Sequence, residues 1–179
     1  MIGDTPASIS DALLAQRRIM LGGGVDAGTL NHVVAQLMLL DGQSAEPVSL
    51  VVTGATGNLE SSLGLLDTLA VMRAPVTIDL LGAIVGGPAA ALTAAPGLRR
   101  IGPTASLSLR LSAEPMAGTT NADVMAQEVA RQQAVSMSVA ERVAAASGQR
   151  VEWVLEEFDR GGPTNATEAL ARGLVDQIR

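Results

Sequence analysis

The chain predicts a single α/β domain over residues 1–179, built on a parallel sheet covered on both faces, and the pattern and composition of the sequence carry that prediction. Short apolar runs, Val48 to Val52 and Val76 to Leu81, are each followed by a glycine-rich turn and then a segment of helical character. Continuous apolar strands of this kind belong to sheets buried on both faces. Hydrophobic residues make up 47% of the sequence and aromatic residues only 1%, so Ala, Val, Leu, Ile and Met must fill the core and neighbouring elements must approach closely.

The elements follow in order. Residues 1–9 read as a short, flexible lead-in. Ser10 to Gln16 reads as a short helix with Ser10 as its N-cap, and Arg18 to Leu21 as an extended run ending at Gly22, Gly23 and Gly24. Asp26 to Leu40 repeats apolar residues at helical spacing (Leu30, Val33, Val34, Leu37, Met38), which predicts an amphipathic helix. Val48 to Val52 is a strand running into Thr53 to Asn58, and a helix follows from about Leu59 to Met72. The theme repeats from Val76: strand, glycine turn, helix. Arg99 to Ile101 and Ala105 to Leu111 continue the strands, the second alternating Leu107, Leu109 and Leu111 with Ser106, Ser108 and Arg110. A long helix spans about Asp123 to Ala146, with Val124, Val135, Val139 and Val143 among its apolar positions, and stops at Ser147 and Gly148. Shorter helices span Val151 to Phe158 and Ala166 to Arg172.

Charge and composition exclude several classes of function. The net charge of −6 and the absence of a basic cluster argue against nucleic acid as a partner. With no cysteine there is no disulfide, no thiolate catalysis and no cysteine-based metal site, and one histidine cannot build a histidine-rich one. No run of about 18 apolar residues and no basic start followed by an apolar stretch appears, so neither membrane insertion nor export is indicated and a cytoplasmic protein is expected. No metal or cofactor is called for.

The chemistry is concentrated in Val76 to Thr93, VTIDLLGAIVGGPAAALT. A strand, tight glycine turn and helix is where many hydrolases present a serine, because the turn exposes it and the helix N-terminus favours negative charge. Here the turn holds Gly82, Ala83, Ile84, Val85, Gly86, Gly87 and Pro88, and no side chain among them can attack a carbonyl. Pro88 suits a first helical turn but removes a backbone donor.

Over nearly its full length the sequence resembles the proteolytic subunit of the Clp protease. The matching pieces are RRIMLGGGVD from Arg17, NHVVAQLMLLD from Asn31, SSLGLLDTLA from Ser61, the strand and turn from Val76, SGQRVEWV from Ser147 and ATEALARGLVDQI from Ala166. The last is the most specific, being similar to the family's C-terminal signature. The resemblance implies a crotonase-like spiral of ββα units, heptameric rings stacked in pairs, and a serine, histidine and aspartate triad facing an internal chamber. It also implies a handle region at about 112–148 containing the long helix.

Carried over residue by residue, that triad is missing. The nucleophile position falls on Val85, or on Gly86 if the alignment slips by one. The histidine position falls on Arg110 and the aspartate position on Gly161, with Asp159 an isolated carboxylate nearby. The oxyanion-donor positions fall on the loop Gly54, Ala55, Thr56 and Gly57 and on Gly86; Thr56, Gly57 and Gly86 are the residues taken as equivalent. Peptide hydrolysis by the family's mechanism is therefore not expected, since loss of one triad member already costs several powers of ten in rate.

The remaining polar residues have plainer readings. His32 reads as a surface or core-edge histidine, Ser61 and Ser62 as helix-opening caps, and the pairs Arg17, Arg18 and Arg99, Arg100 as solvated ends of elements. Arg110 is either a carboxylate-binding chamber residue or a solvated strand charge. An acyl-thioester cradle at the glycine turn lacks lysines for coenzyme A phosphates, and the arginines do not cluster. The family's unfoldase-docking pockets are lined by aromatic residues, whereas this chain has only Trp153 and Phe158, so docking of the ATP-driven unfoldase in its usual form is not expected. The reading is a catalytically inactive Clp-type subunit that assembles with itself as a ring or with active paralogues. The alternatives are a peptidase or thioester hydrolase using a non-standard residue set, and a stand-alone peptide-binding ring.

Overall fold

A computed structural model of the protein describes residues 8–112 and 122–179. The expected α/β architecture is present. Chain order runs α1 (Ile9–Ala15), β1 (Arg18–Gly24), α2 (Ala27–Gln43), β2 (Val48–Gly57), α3 (Leu59–Val71), β3 (Val76–Leu81), β4 (Ala83–Gly86) and α4 (Gly87–Ala94). It continues with β5 (Leu98–Ile101), β6 (Ser106–Ser108), α5 (Ala122–Ser147), α6 (Val151–Arg160), β7 (Thr164–Asn165), α7 (Ala166–Ala171) and β8 (Gln177–Ile178).

The eight strands form one sheet in the order β7-β6-β4-β2-β3-β5-β8, with β1 also paired to β2. All pairings are parallel except that of β6 with β7. Strand β2 organises the rest: Val48 to Thr53 pairs with β3, while Thr56 and Gly57 pair with β4. The change of partner occurs across Gly54, whose φ of 60° lies in the left-handed region that glycine tolerates. The core is aliphatic, with Leu37, Leu50, Val52, Leu65, Leu66, Ile78, Leu80, Ile84 and Leu92 fully enclosed. Helix α4 is buried along its whole length, from Gly87 to Ala94. Its run of alanines is what lets it pack closely against both the sheet and α5.

Several boundaries differ from the sequence expectation for identifiable reasons. Helix α1 is opened by Ser8, not Ser10: the Ser8 hydroxyl accepts from Asp11 N–H while the Asp11 carboxylate accepts from Ser8 N–H, a complete capping box. The lead-in thus ends before Ser8, and its residues 1–7 lie outside the described ones. Strand β1 does not stop at Gly22 but runs on through Gly24, because β2 continues alongside it with an irregularity between Gly22 and Gly23. The glycine turn after β3 is not a turn throughout, since Ala83–Gly86 forms a strand between β2 and β6. Met38 is exposed rather than part of the buried stripe of α2. Residues 113–121 of the expected handle region lie outside the described residues, and the remainder is α5.

Arg18 is exposed at the start of β1, as expected, but the other three paired arginines are not solvated ends. Arg99 is 6% exposed and binds Asp176 through Nε (3.1 Å) and Nη2 (2.7 Å), while Nη1 donates to the Thr93 carbonyl (2.6 Å). Arg100 forks onto buried Asp79 at 2.7 and 2.8 Å, and Arg179 adds a contact to the same carboxylate at 3.2 Å. Arg17, with φ of 57°, donates to the carbonyls of Pro47, Leu40, Ser44 and Glu46 and so closes the C-terminal end of α2. Buried charges occur because each guanidinium finds several acceptors at once.

Candidate functional site

The site is assembled where β2, β4 and β6 end. After Gly57, Asn58 caps α3, its side-chain oxygen accepting from Ser61 N–H at 2.8 Å, while the Ser62 hydroxyl donates to the Asn58 carbonyl at 2.9 Å. The cap is therefore Asn58; Ser62 is buried and Ser61 supplies only its backbone. Gly82, at φ 73°, redirects the chain from β3 to the opposite side of β2, and its carbonyl accepts from Ser106 N–H at 3.0 Å.

Strand β4 then delivers Val85 and Gly86. Val85 is half-buried and stands in register with Thr56 on one side and Ser108 on the other. Gly86 has φ 74° and ψ −134° and is the N-cap of α4, with no side chain capping that helix. This strained strand-to-helix junction is the backbone shape of a nucleophile elbow. It is occupied by the one residue type that has nothing to present there.

A Cβ built on Gly86 would lie 2.7 Å from the Gly57 carbonyl oxygen and 3.6 Å from that of Arg110. Gly86, Gly57 and Arg110 are thus immediate neighbours. Gly87 is as tightly held: a Cβ there would collide with the Asn58 carbonyl, so the starts of α3 and α4 meet backbone to backbone.

Arg110 follows β6 and is exposed. The next residue, Leu111, donates its N–H to the Phe158 carbonyl at 2.9 Å, which ties this strand end to α6. Gly161 caps the end of α6, donating to the Glu157 carbonyl at 2.9 Å, and a Cβ at Gly161 would collide with the backbone and carboxylate of Glu157. Asp159 is exposed and paired with Arg160 at 3.0 Å. The structure therefore gathers Thr56, Gly57, Val85, Gly86 and Arg110, while Gly161 sits at the end of α6, a helix tied to this cluster through Leu111 and Phe158.

No imidazole joins them. His32 lies on the outer face of α2, its Nε2 3.2 Å from the Gln36 amide, beside a depression lined by Ile9, Arg18 and Met20. Next to the strand ends opens a cavity of about 250 Å³, walled by Leu59, Leu111, Val135 and Phe158 and rimmed by Glu60, Ser112, Arg131, Gln132, Ser136 and Asp159. On its rim Arg131 bridges Glu60 at 2.6 Å and Glu128 at 2.7 Å. Hydrogen bonds donated to Glu128 and Glu60 hold the Arg131 guanidinium well above its usual range, and those received from Arg131 pull the Glu128 carboxyl down. Sequence reading missed this cavity because its walls come from four segments far apart in the chain; the isolated Phe158 was the only local signal.

Among the described residues no group of three or more acidic or histidine side chains could hold a metal ion, and no helix is long and apolar enough to cross a membrane. The family model for Clp protease matches residues 3–179. This chain belongs to the Clp protease family. The ATP-dependent Clp protease proteolytic subunit of Dehalococcoides mccartyi is 27% identical over 179 residues, covering 98% of this chain and 88% of the relative. The ATP-dependent Clp protease proteolytic subunit 1 of Nocardia farcinica is 30% identical over 179 residues, covering 98% and 89%. The corresponding subunit of Streptococcus pneumoniae is 30% identical over 185 residues, covering 98% and 91%. At the junction of β4 and α4 this member of the family carries Gly86.

Proposed function

We propose that this Clp-type subunit does not hydrolyse peptides and acts as a ring-forming scaffold or regulatory subunit, alongside active paralogues, in ATP-dependent protein degradation. The carrying observation is Gly86: the elbow backbone is present, and the residue at it has no side chain. In this reading Gly86 is the vacated nucleophile position rather than Val85, because the left-handed conformation falls on Gly86. Arg110 stands for the histidine and Gly161 for the aspartate. Thr56, Gly57 and Gly86 are what is left of the oxyanion loop.

Assembly is the function that a preserved frame can still perform. Helix α5 leaves Val124, Met125, Val129 and Met137 exposed, apolar surface suited to contact between heptameric rings in a stacked pair. The unfoldase is not expected to dock in its usual form, since Phe158 is buried and Trp153 is half-buried with Arg172 over its ring at 5.6 Å. A cytoplasmic location belongs to the same proposal.

Native mass spectrometry of the purified chain, alone and mixed with an active Clp paralogue of the same organism, tests the scaffold reading; a monomer that joins neither ring refutes it. A serine-reactive fluorophosphonate probe and fluorogenic peptides test inactivity. Specific labelling of one serine with peptide turnover would establish instead the peptidase using a non-standard residue set. The cavity walled by Leu59, Leu111, Val135 and Phe158 favours a second reading, a ring that binds peptides without cutting them.

A further inference from the structure

We propose that the face of the sheet turned away from the core holds a carboxylate receptor, Arg100 and Arg179 fixed on Asp79, which takes the acidic side chain of an extended partner segment with apolar residues two positions to either side. The receptor lies on β3 and β5, on the opposite side of β2 from Gly86. The inference therefore goes beyond the vacated site and holds whatever happens there.

Strand alternation defines the face. Ile19, Leu50, Ile78 and Ile101 are buried in the core, so the residues that follow or precede them point the other way. Among these, Met20, Val51, Asp79 and Arg100 stand level with one another across β1, β2, β3 and β5. Asp79 is the one acidic residue that is buried among the described residues. Arg100 satisfies both of its oxygens, Nε donating to Oδ1 at 2.7 Å and Nη2 to Oδ2 at 2.8 Å. Arg179 is surplus to that pair. Its Nη1 stands 3.2 Å from Oδ2, which is already bonded, and its side chain is 52% exposed, against 30% for that of Arg100.

One buried negative charge thus orients two guanidinium groups that reach solvent, and their remaining N–H groups have no other partner among the described residues. With Arg18 at the start of β1, the face carries three arginines against one aspartate, in a chain whose net charge is −6. Local charge of the opposite sign to the whole molecule selects an anionic partner. Exposed ion pairs are weak on their own. Here the donors are already held in place by the carboxylate beneath them, which lowers the ordering cost of binding a second one.

The neighbouring side chains set what accompanies the acid. Leu98, two residues before Arg100 on β5, is 37% exposed. Leu81 lies two residues after Asp79 on β3, and a Cβ built on Gly102 would lie 3.1 Å from its Cδ2, so this side chain leans over the end of β5. The charged cluster therefore sits between two leucines, each about 7 Å away along the strands. An extended segment sets the side chains of alternate residues on one face at the same spacing. A free anion such as phosphate would engage the arginines and leave both leucines unused.

Fluorescence polarisation on the assembled protein tests this with fluorescein-labelled peptides of sequence Leu-Thr-Glu-Thr-Leu, amidated so that glutamate supplies the carboxylate. This peptide should bind more tightly than its glutamine counterpart by about fivefold, the scale of one exposed ion pair. It should exceed by a similar factor the peptide Leu-Glu-Thr-Thr-Leu, whose acid is out of step with the leucines. Arg179→Gln should abolish the preference for glutamate; Arg100 still pairs Asp79 in this variant, so the fold is kept, checked by circular dichroism. Arg18→Gln, on the same face but at β1, should leave the preference intact. Equal affinity for the glutamate and glutamine peptides overturns the proposal, as does an Arg179→Gln variant that still prefers glutamate. An effect of Arg18→Gln as large as that of Arg179→Gln would show a general charge effect and overturn the receptor. Inorganic phosphate displacing the peptide at equal concentration overturns the assignment to a protein segment.

Discussion

Putting the triad back into this chain should not restore hydrolysis. The perturbation is Gly86→Ser with Arg110→His and Gly161→Asp. At position 86 the backbone has φ 74°, which costs a residue bearing a Cβ about 1–2 kcal/mol. The Cβ would also sit 2.7 Å from the Gly57 carbonyl oxygen, closer than carbon and oxygen tolerate, so β2 or β4 must shift at the point where they pair. At position 161 the new Cβ meets the Glu157 backbone, which the rigid end of α6 cannot easily yield. Together these contacts cost about 3–5 kcal/mol, in the range of overpacked and strained substitutions. For a domain of this size that lowers Tm by about 6–20 °C.

The new serine and histidine would stand on displaced backbone, and displacements of about 1 Å cost about a hundredfold in rate. Thermal unfolding by circular dichroism and turnover of a fluorogenic peptide, with fluorophosphonate labelling as the check on the new serine, measure both halves. A triple variant that folds as well as the parent and turns over peptide refutes the reasoning, because it would mean that only side chains, and not the backbone around them, had been lost.

Asp176→Ala should lower stability by about 2 kcal/mol, seen as a fall in Tm of about 4–8 °C, since it strands the buried Arg99 guanidinium; Arg99→Met with Asp176→Leu should lose less than the single change. Hydrogen bonds from Arg99 hold the Asp176 carboxyl below its ordinary range. Its contribution is therefore complete above about pH 4 and fades as pH falls through the lowered value, and urea titrations from pH 6 to pH 3 should show the parent losing more stability than Asp176→Ala. Arg17→Lys should cost about 1–2 kcal/mol by urea denaturation, because an ammonium cannot span the four carbonyls that the guanidinium holds. Gly87→Ala, a substitution that favours helices in general, should instead destabilise by about 3 kcal/mol or prevent folding, because its methyl would enter the Asn58 carbonyl; soluble yield and Tm decide it.

Local periodicity carried most of the secondary structure. The helical spacing of Leu30, Val33 and Leu37 and the apolar runs of β2 and β3 appear where the sequence puts them, because burial of one face or of both selects those patterns. Strands β7 and β8, each two residues long, left no periodic trace. They exist only because the sheet edges at β6 and β5 accept them.

The sequence by itself determined the α/β class, the family and the lack of any hydroxyl in the glycine segment, since these depend on residue types and their order. Only the tertiary structure placed a left-handed φ at Gly86, because that conformation is a property of how β4 enters α4 between neighbouring strands. It likewise turned Arg99 from a solvated end into a buried clamp, since Asp176, 77 residues away, becomes its neighbour only when β8 joins the sheet. The cavity between α3, α5 and α6 has the same origin. Its walls are ordinary leucines, a valine and one phenylalanine, and only long-range packing brings them together around about 250 Å³ of open space.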